Sequence, residues 1–160
     1  MRGDIKVLKK LKFNSISLVG VLEHFRNPLK FLDEINQILP AKDSVVLIYY
    51  PNYGSLSSFL SRFSIHSWDM FLEPGHYSFP SKKYLIKYMT DNNFVCKKYW
   101  TTTNISRGKN PFYWERAVLQ EKFIRKLFYR FRVFKFFYII LYQFIDFFRL
   151  GDINCFLFYR

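Results

Sequence analysis

Several residue types are scarce in this 160-residue chain, and each scarcity excludes a class of protein. Cysteine occurs only at Cys96 and Cys155, too few for a disulfide framework or a four-cysteine metal site, and we assign no metal ligands. Six glycines and six prolines exclude collagen-like and low-complexity sequences. Acidic residues number 12 against 25 basic ones, and the resulting charge of +13 suggests an anionic partner.

Long hydrophobic runs are also missing. The N-terminus has no apolar stretch of the kind found in secretory signals. The longest uncharged run in the aromatic C-terminal part is ten residues, 136–145, whereas a membrane-spanning helix needs about 20 apolar residues. The sequence therefore predicts a cytoplasmic protein, and a helix lying on a membrane surface remains open.

Half of the residues are hydrophobic, which favours one folded domain with a sizeable core. Residues 13–22 are apolar and β-branched, as in a buried strand. Residues 23–39 repeat apolar side chains at three- and four-residue steps, which predicts a helix. Within this range Asn27 is a good N-cap and Pro28 fits the first helical position. Residues 44–50 form a continuous apolar run, typical of a strand covered on both faces. The order strand, helix, strand indicates a βαβ unit.

The remainder of the chain has a coarser pattern. We predict, in order, an irregular segment over 55–80, a helix from Ser81 to about Asn92, a strand over 94–102, a polar loop over 104–111, an aromatic and basic helical segment over 112–148, and a terminal strand over 153–159.

The segment 112–148 has three interpretations. It can pack on the sheet with its Lys and Arg side chains solvated, lie on an anionic membrane, or bind nucleic acid by charge and stacking. Its aromatic residues are mostly Phe and run through the whole helix rather than along one exposed ribbon. This favours packing first, a membrane surface second and nucleic acid last, so no nucleic-acid partner is expected.

Several segments carry a resemblance to a known family. They are Phe13–His24, similar to the pattern F-D-x-I-x-x-x-x-V-L-E-H; 27–39, similar to D-P-x-x-F-L-x-E-I-x-x-x-L; 46–52, a strand ending in P-N; 73–79, similar to P-x-H-x-x-x-F; and 150–159, a G-D turn before a strand. In this order and spacing they resemble class I S-adenosylmethionine-dependent methyltransferases, in particular the bacterial group related to ubiquinone-biosynthesis O-methyltransferases.

The resemblance implies an α/β fold. The chain corresponds to the C-terminal half of a Rossmann-like methyltransferase sheet, with parallel strands and an antiparallel closing strand. The resemblance predicts a single partial domain over 1–160, with 112–148 as a helical insertion within it. The glycine-rich loop of the family is missing, since no G-x-G-x-G occurs in the chain, and so is the acidic residue that holds the ribose. We therefore expect this chain alone to bind S-adenosylmethionine weakly.

The resemblance also implies site residues. The positions that would contact the cofactor are Asp4, Val19, Gly20 and Glu23. A histidine titrates in the range suited to a general base, so His24 and His76 are the candidate catalytic residues. A role in capping the helix or lining the cleft is favoured for His24, and a structural role in the loop explains His76 equally well. Asn52 and His76 are the candidate substrate-binding residues, with a turn as the simpler explanation of Asn52.

The function implied is methyl transfer from S-adenosylmethionine to a small-molecule, glycan or lipid-precursor acceptor. The alternative is a non-catalytic remnant or partner subunit whose basic helix associates with a membrane or a protein. Peripheral contact with an anionic membrane, the inner membrane of a bacterium, is the expected location if that helix lies on lipid.

Overall fold

The structure is a computed structural model that describes residues 13–62, 70, 73–103, 140–141 and 143–160. Its elements are β1 (Ser15–Val19), a 3₁₀ turn (Leu22–His24), α1 (Pro28–Ile38), β2 (Val45–Pro51), α2 (Leu56–Ser61), α3 (Lys82–Asp91), β3 (Val95–Thr102) and β4 (Ile153–Tyr159). Most of the predicted helical segment 112–148 lies outside the described residues; its members 140–141 and 143–147 are helical.

The four strands form one sheet in the order β1-β2-β4-β3. β1 and β2 are parallel, with Ser15 opposite Val45 at the start of the pairing. The backbone N–H of Arg160, just after β4, donates to the carbonyl of Ser44, just before β2, which makes β4 antiparallel to β2. This mixed sheet with helical connections confirms the predicted fold class.

The described residues divide into two compact units. The first contains the residues up to 51, together with 74–100 and 154–160. The second contains the described residues between 52 and 73 and between 101 and 153. A single partial domain over 1–160 with an insertion over 112–148 stays a prediction.

Within the range 23–39 predicted as helical, the helix begins at Pro28 with Asn27 as its N-cap, which confirms the roles predicted for these two residues. Phe25 is extended, with φ −100° and ψ 133°, and separates the 3₁₀ turn from α1. The Asn27 side chain accepts a hydrogen bond from the Lys30 N–H at 3.2 Å and so caps α1. Proline fits the first helical position because its missing N–H has no partner there anyway. The apolar repeat continues across the break, which is why periodicity alone merges the two elements.

The core of the first unit lies between the sheet and its helices. β2 buries Val46, Ile48 and Tyr50 at every second position, while the side chains between them are half-buried. The prediction that β2 is covered on both faces therefore holds fully for one face only. The Tyr50 ring stacks on Phe156 of β4, with ring centroids 5.9 Å apart. α1 contributes a buried stripe consisting of Leu32, Ile35 and, just beyond its end, Leu39.

The second unit contains α2, which lies inside the segment predicted to be irregular. The buried Ser55 hydroxyl caps this helix by accepting from the Ser58 N–H at 3.1 Å. A six-residue helix rich in serine carries too few apolar positions for a periodic signal. No helix among the described residues has the length and apolarity needed to cross a membrane.

Candidate functional site

The site begins where β1 leaves the sheet. Gly20 follows β1 with φ +64°, in the left-handed region that favours glycine, and its N–H donates to the Tyr49 carbonyl at 3.0 Å. Val19, the last residue of β1, exposes 59% of its surface. The carboxyl end of this parallel strand therefore presents an apolar side chain and a turn, at the edge where open α/β sheets bind ligands.

Two backbone segments are joined at this edge. The Glu23 carbonyl, in the 3₁₀ turn, accepts hydrogen bonds from the Tyr77 N–H at 2.7 Å and the Ser78 N–H at 3.2 Å. The Ser78 hydroxyl donates to the Leu22 carbonyl at 3.2 Å. The Arg26 guanidinium lies 5.4 Å from the centre of the Tyr77 ring. These contacts hold the segment carrying His76 against the turn carrying His24.

The tautomer of His24 follows from its partner. His24 Nδ1 lies 3.0 Å from the Gly75 carbonyl oxygen. A carbonyl only accepts, so Nδ1 carries the proton and donates it, and the neutral ring keeps the lone pair on Nε2. Gly75 has φ +99°, and a Cβ on it would lie 3.4 Å from His24 Nδ1. Glycine thus allows both the turn and this close approach.

The predicted catalytic histidines lie side by side. The ring centroids of His24 and His76 are 4.9 Å apart, with planes tilted by 58°. His76 also contacts the Phe79 ring edge-on, with centroids 6.1 Å apart. Glu23 is buried, with 4% of its surface exposed, and belongs to the same cluster. One nitrogen or oxygen ligand atom from each of Glu23, His24 and His76 lies within 4.8 Å of the other two.

Asn52 has a structural position. Its side-chain Nδ2 donates to the Gly151 carbonyl at 2.8 Å, and its Oδ1 accepts from the Gly54 N–H at 3.0 Å. Both ends of the amide are engaged within the second unit, as expected for a residue that builds a turn. Substrate contact by Asn52 stays a prediction. Asp4, one of the predicted cofactor contacts, lies outside the described residues.

Sequence reasoning missed three residues that build this site. Gly75 accepts the hydrogen bond that orients His24, and Tyr77 and Ser78 attach the His76 segment to the turn. The available signal was the Pro74-Gly75-His76 sequence, since Pro-Gly marks a turn. That signal could place His76 directly after a turn. It could not show that the turn contacts His24, which lies 51 residues earlier in the chain.

A family model described as "Methyltransferase domain" matches residues 4–98, more than half of the chain. The chain therefore belongs to this methyltransferase domain family. The matched region contains all of the predicted site residues, from Asp4 to His76.

A solved structure supports the same fold. A SAM-dependent methyltransferase from Archaeoglobus fulgidus is 15% identical, with a TM-score of 0.55, over all of this chain and 66% of its own length. A mycolic acid cyclopropane synthase, solved with SAH and CTAB, is 18% identical over 96% of this chain and 58% of its own, with a TM-score of 0.45. This chain thus spans about two thirds or less of their lengths. The search of curated proteins finds no match.

Proposed function

We propose that the chain is an S-adenosylmethionine-dependent methyltransferase acting through oxygen or nitrogen of a small molecule, a glycan or a lipid precursor. The observation that carries the proposal is the pairing of His24 and His76 beside the carboxyl end of β1, within the part of the chain that matches the family. Both rings belong to the first unit and reach the edge at which ligands of open α/β sheets bind.

The described residues fit part of the cofactor. The exposed Val19 side chain offers an apolar surface, and Gly20 leaves room for close backbone approach at the end of β1. The buried Glu23 carboxylate has the charge needed to face the ammonium of the cofactor's amino-acid end. When bound, S-adenosylmethionine supplies an electrophilic methyl group.

The task left to the protein is to orient the acceptor and remove its proton. The Nδ1–H···O=C bond to Gly75 fixes the His24 ring, so Nε2 is the atom that can accept a proton from an acceptor hydroxyl or amine. His76, half-buried beside it, is the candidate for holding the acceptor in place. These two roles require the histidines to lie side by side, and the His24 and His76 rings do so.

Cofactor binding is the first test. We expect calorimetric titration of this 160-residue chain with S-adenosylmethionine to give a dissociation constant weaker than micromolar, because the chain has no glycine-rich loop to supply backbone N–H groups to the ligand. A constant of about 1 μM or tighter, equivalent to about −8 kcal/mol, would contradict that expectation. A separate observation is the DNA upstream of Met1: a strand followed by G-x-G-x-G in any frame would favour the enzyme, and its absence would favour the non-catalytic remnant or partner subunit.

Methyl transfer is the second test. The chain, and the longest open reading frame that contains it, are incubated with methyl-tritiated S-adenosylmethionine and fractions of small molecules, glycans and lipids. We expect label in one fraction, lost in His24→Ala and His76→Ala and kept in the α1 variant Glu34→Gln. Absence of label with a polypeptide that binds the cofactor would refute the proposal and favour the non-catalytic remnant or partner subunit.

A further inference from the structure

Glu23, His24 and His76 together have the composition of a metal site. Two imidazoles and one carboxylate are the ligands of many catalytic zinc centres, which keep a fourth position open for water or substrate. The three side chains come from two segments, the 3₁₀ turn and the turn after Gly75, that hydrogen bonds join. We propose that this cluster binds one divalent transition ion, with zinc as the ion that its donors fit best.

The first argument is the orientation of His24. Its Nδ1–H donates to the Gly75 carbonyl at 3.0 Å, which leaves Nε2 as the only ring nitrogen with a free lone pair in the neutral form. Metal-binding histidines regularly donate their other ring N–H to a carbonyl or carboxylate in this way, because the bond fixes the tautomer and the ring plane. The His24–Gly75 pair is therefore an outer hydrogen bond of the kind that accompanies a metal ligand.

The second argument is distance. The three ligand atoms lie within 4.8 Å of one another. Around a zinc ion with bonds of about 2.0–2.2 Å, the ligand atoms would be about 3.4 Å apart. The side chains must therefore bring these atoms closer together by about 1–1.5 Å to bind the ion. His24 is exposed and His76 half-buried, and both can adjust by rotation of their side chains. Magnesium and calcium are poorer candidates because they select oxygen ligands.

This inference goes beyond the proposed methyl transfer. An ion on His24 Nε2 would occupy the lone pair that a general base needs, so we expect bound zinc to inhibit methyl transfer. The zinc test itself needs neither methyl donor nor acceptor. The untagged chain is stripped with a chelator and titrated with Zn²⁺ against a chromophoric competitor, and with Co²⁺ followed by visible absorption. We expect one site per chain and no comparable site for Mg²⁺. Glu23→Gln, His24→Ala and His76→Ala should each weaken zinc binding by about 100-fold.

Two control variants separate this cluster from other sources of zinc affinity. Glu34→Gln removes a carboxylate from α1, and Cys96→Ser removes the more accessible of the two thiols. Both should bind zinc like the unaltered chain. Undiminished binding in His24→Ala and His76→Ala, or a loss in Cys96→Ser, would overturn the proposal, as would absence of binding to the unaltered chain.

Thermal unfolding distinguishes a variant that has lost the zinc site from one that fails to fold. Zinc should raise the unfolding temperature of the unaltered chain and of Glu34→Gln, because an ion that binds the folded state alone stabilises it. It should not raise that of His76→Gln, a milder substitution that keeps a polar side chain. An equal rise in His76→Gln would refute the assignment. Failure of methyl transfer would leave these outcomes unchanged, so the two proposals fail separately.

Discussion

Tyr50 shows how one buried polar group connects the core to the candidate site. Its ring is buried in β2, and its hydroxyl donates to the Pro80 carbonyl at 3.0 Å. Pro80 ends the segment that carries His76. Burial of the Tyr50 side chain raises the pKa of its hydroxyl far above the ordinary value, with Tyr99 as a smaller cause. The neutral, donating form is therefore the one that the folded state requires.

Tyr50→Phe should lower the free energy of unfolding by about 1–2 kcal/mol, because the ring still fills its place while the Pro80 carbonyl loses its donor. Urea denaturation at pH 7 measures the change. The matched control is Tyr84→Phe, at a residue that is 54% exposed, where we expect a change within about 0.5 kcal/mol. Equal effects of the two substitutions would contradict the role given to the Tyr50 hydroxyl.

The same variant has a pH signature. Tyrosine in the unfolded chain ionises near pH 10, whereas Tyr50 in the folded chain resists ionisation. The unfolded state therefore gains stability as the pH rises above about 10, and the contribution of the Tyr50 hydroxyl to folding declines. Between pH 8 and 11 the difference in stability between the unaltered chain and Tyr50→Phe should shrink. A constant difference over this range would refute the pKa argument.

At the scale of elements, the end of α3 depends on one backbone conformation. Asn93 has φ +65°, its N–H donates to the Thr90 carbonyl at 3.0 Å, and the Phe94 N–H donates to the Met89 carbonyl at 2.9 Å. This pair of bonds is the Schellman motif, which ends a helix with a left-handed residue. The buried side chains of Met89 and Phe94 complete it, and the chain then enters β3.

Asn93→Val should lower the free energy of unfolding by about 1–2 kcal/mol, because a β-branched residue fits the left-handed region poorly. Asn93→Gly should be neutral or slightly stabilising, since glycine adopts this conformation without a steric cost. Denaturant titration measures both.

The control is Asn14→Val, at another exposed asparagine, one whose φ is not positive. We expect it to change stability by no more than about 0.5 kcal/mol. If Asn93→Val is as mild as Asn14→Val, the helix end does not depend on the left-handed conformation.

At the scale of the whole molecule, basic charge and exposed aromatic residues point to contact with an anionic surface. The chain carries a charge of +13, and six basic residues fall between 122 and 135. In the described part of the C-terminal region, several large apolar side chains are exposed: Ile140, Leu141, Phe144, Phe147 and Phe148. We propose peripheral contact with an anionic membrane, in which lipid headgroups attract the basic residues and the interface accepts the apolar ones.

The chain should sediment with phosphatidylserine vesicles at low ionic strength and remain in the supernatant with neutral phosphatidylcholine vesicles. Each basic residue near an anionic bilayer contributes about 1 kcal/mol, and salt screens that attraction. Substituting Gln at Lys122, Arg125 and Lys126 should therefore reduce sedimentation by about tenfold or more.

The matched control substitutes Gln at three exposed lysines elsewhere: Lys30, Lys42 and Lys83. It removes the same charge from outside the aromatic segment and should have a much smaller effect. Equal sedimentation with anionic and neutral vesicles would rule out the membrane role, and equal effects of the two triple variants would assign the attraction to net charge alone.

Local hydrophobic patterns and short connections restrict the topology, and they made the parallel β1–β2 pair, its helical crossover and the terminal strand β4 predictable from the sequence. The sequence also placed Gly20, Glu23 and His24 after β1. Tertiary structure alone decided that His76 lies beside His24, because that contact depends on hydrogen bonds between segments about 50 residues apart. It likewise decided that the Asn52 amide is engaged in a turn, since the Gly151 carbonyl that it binds comes from 99 residues further along the chain.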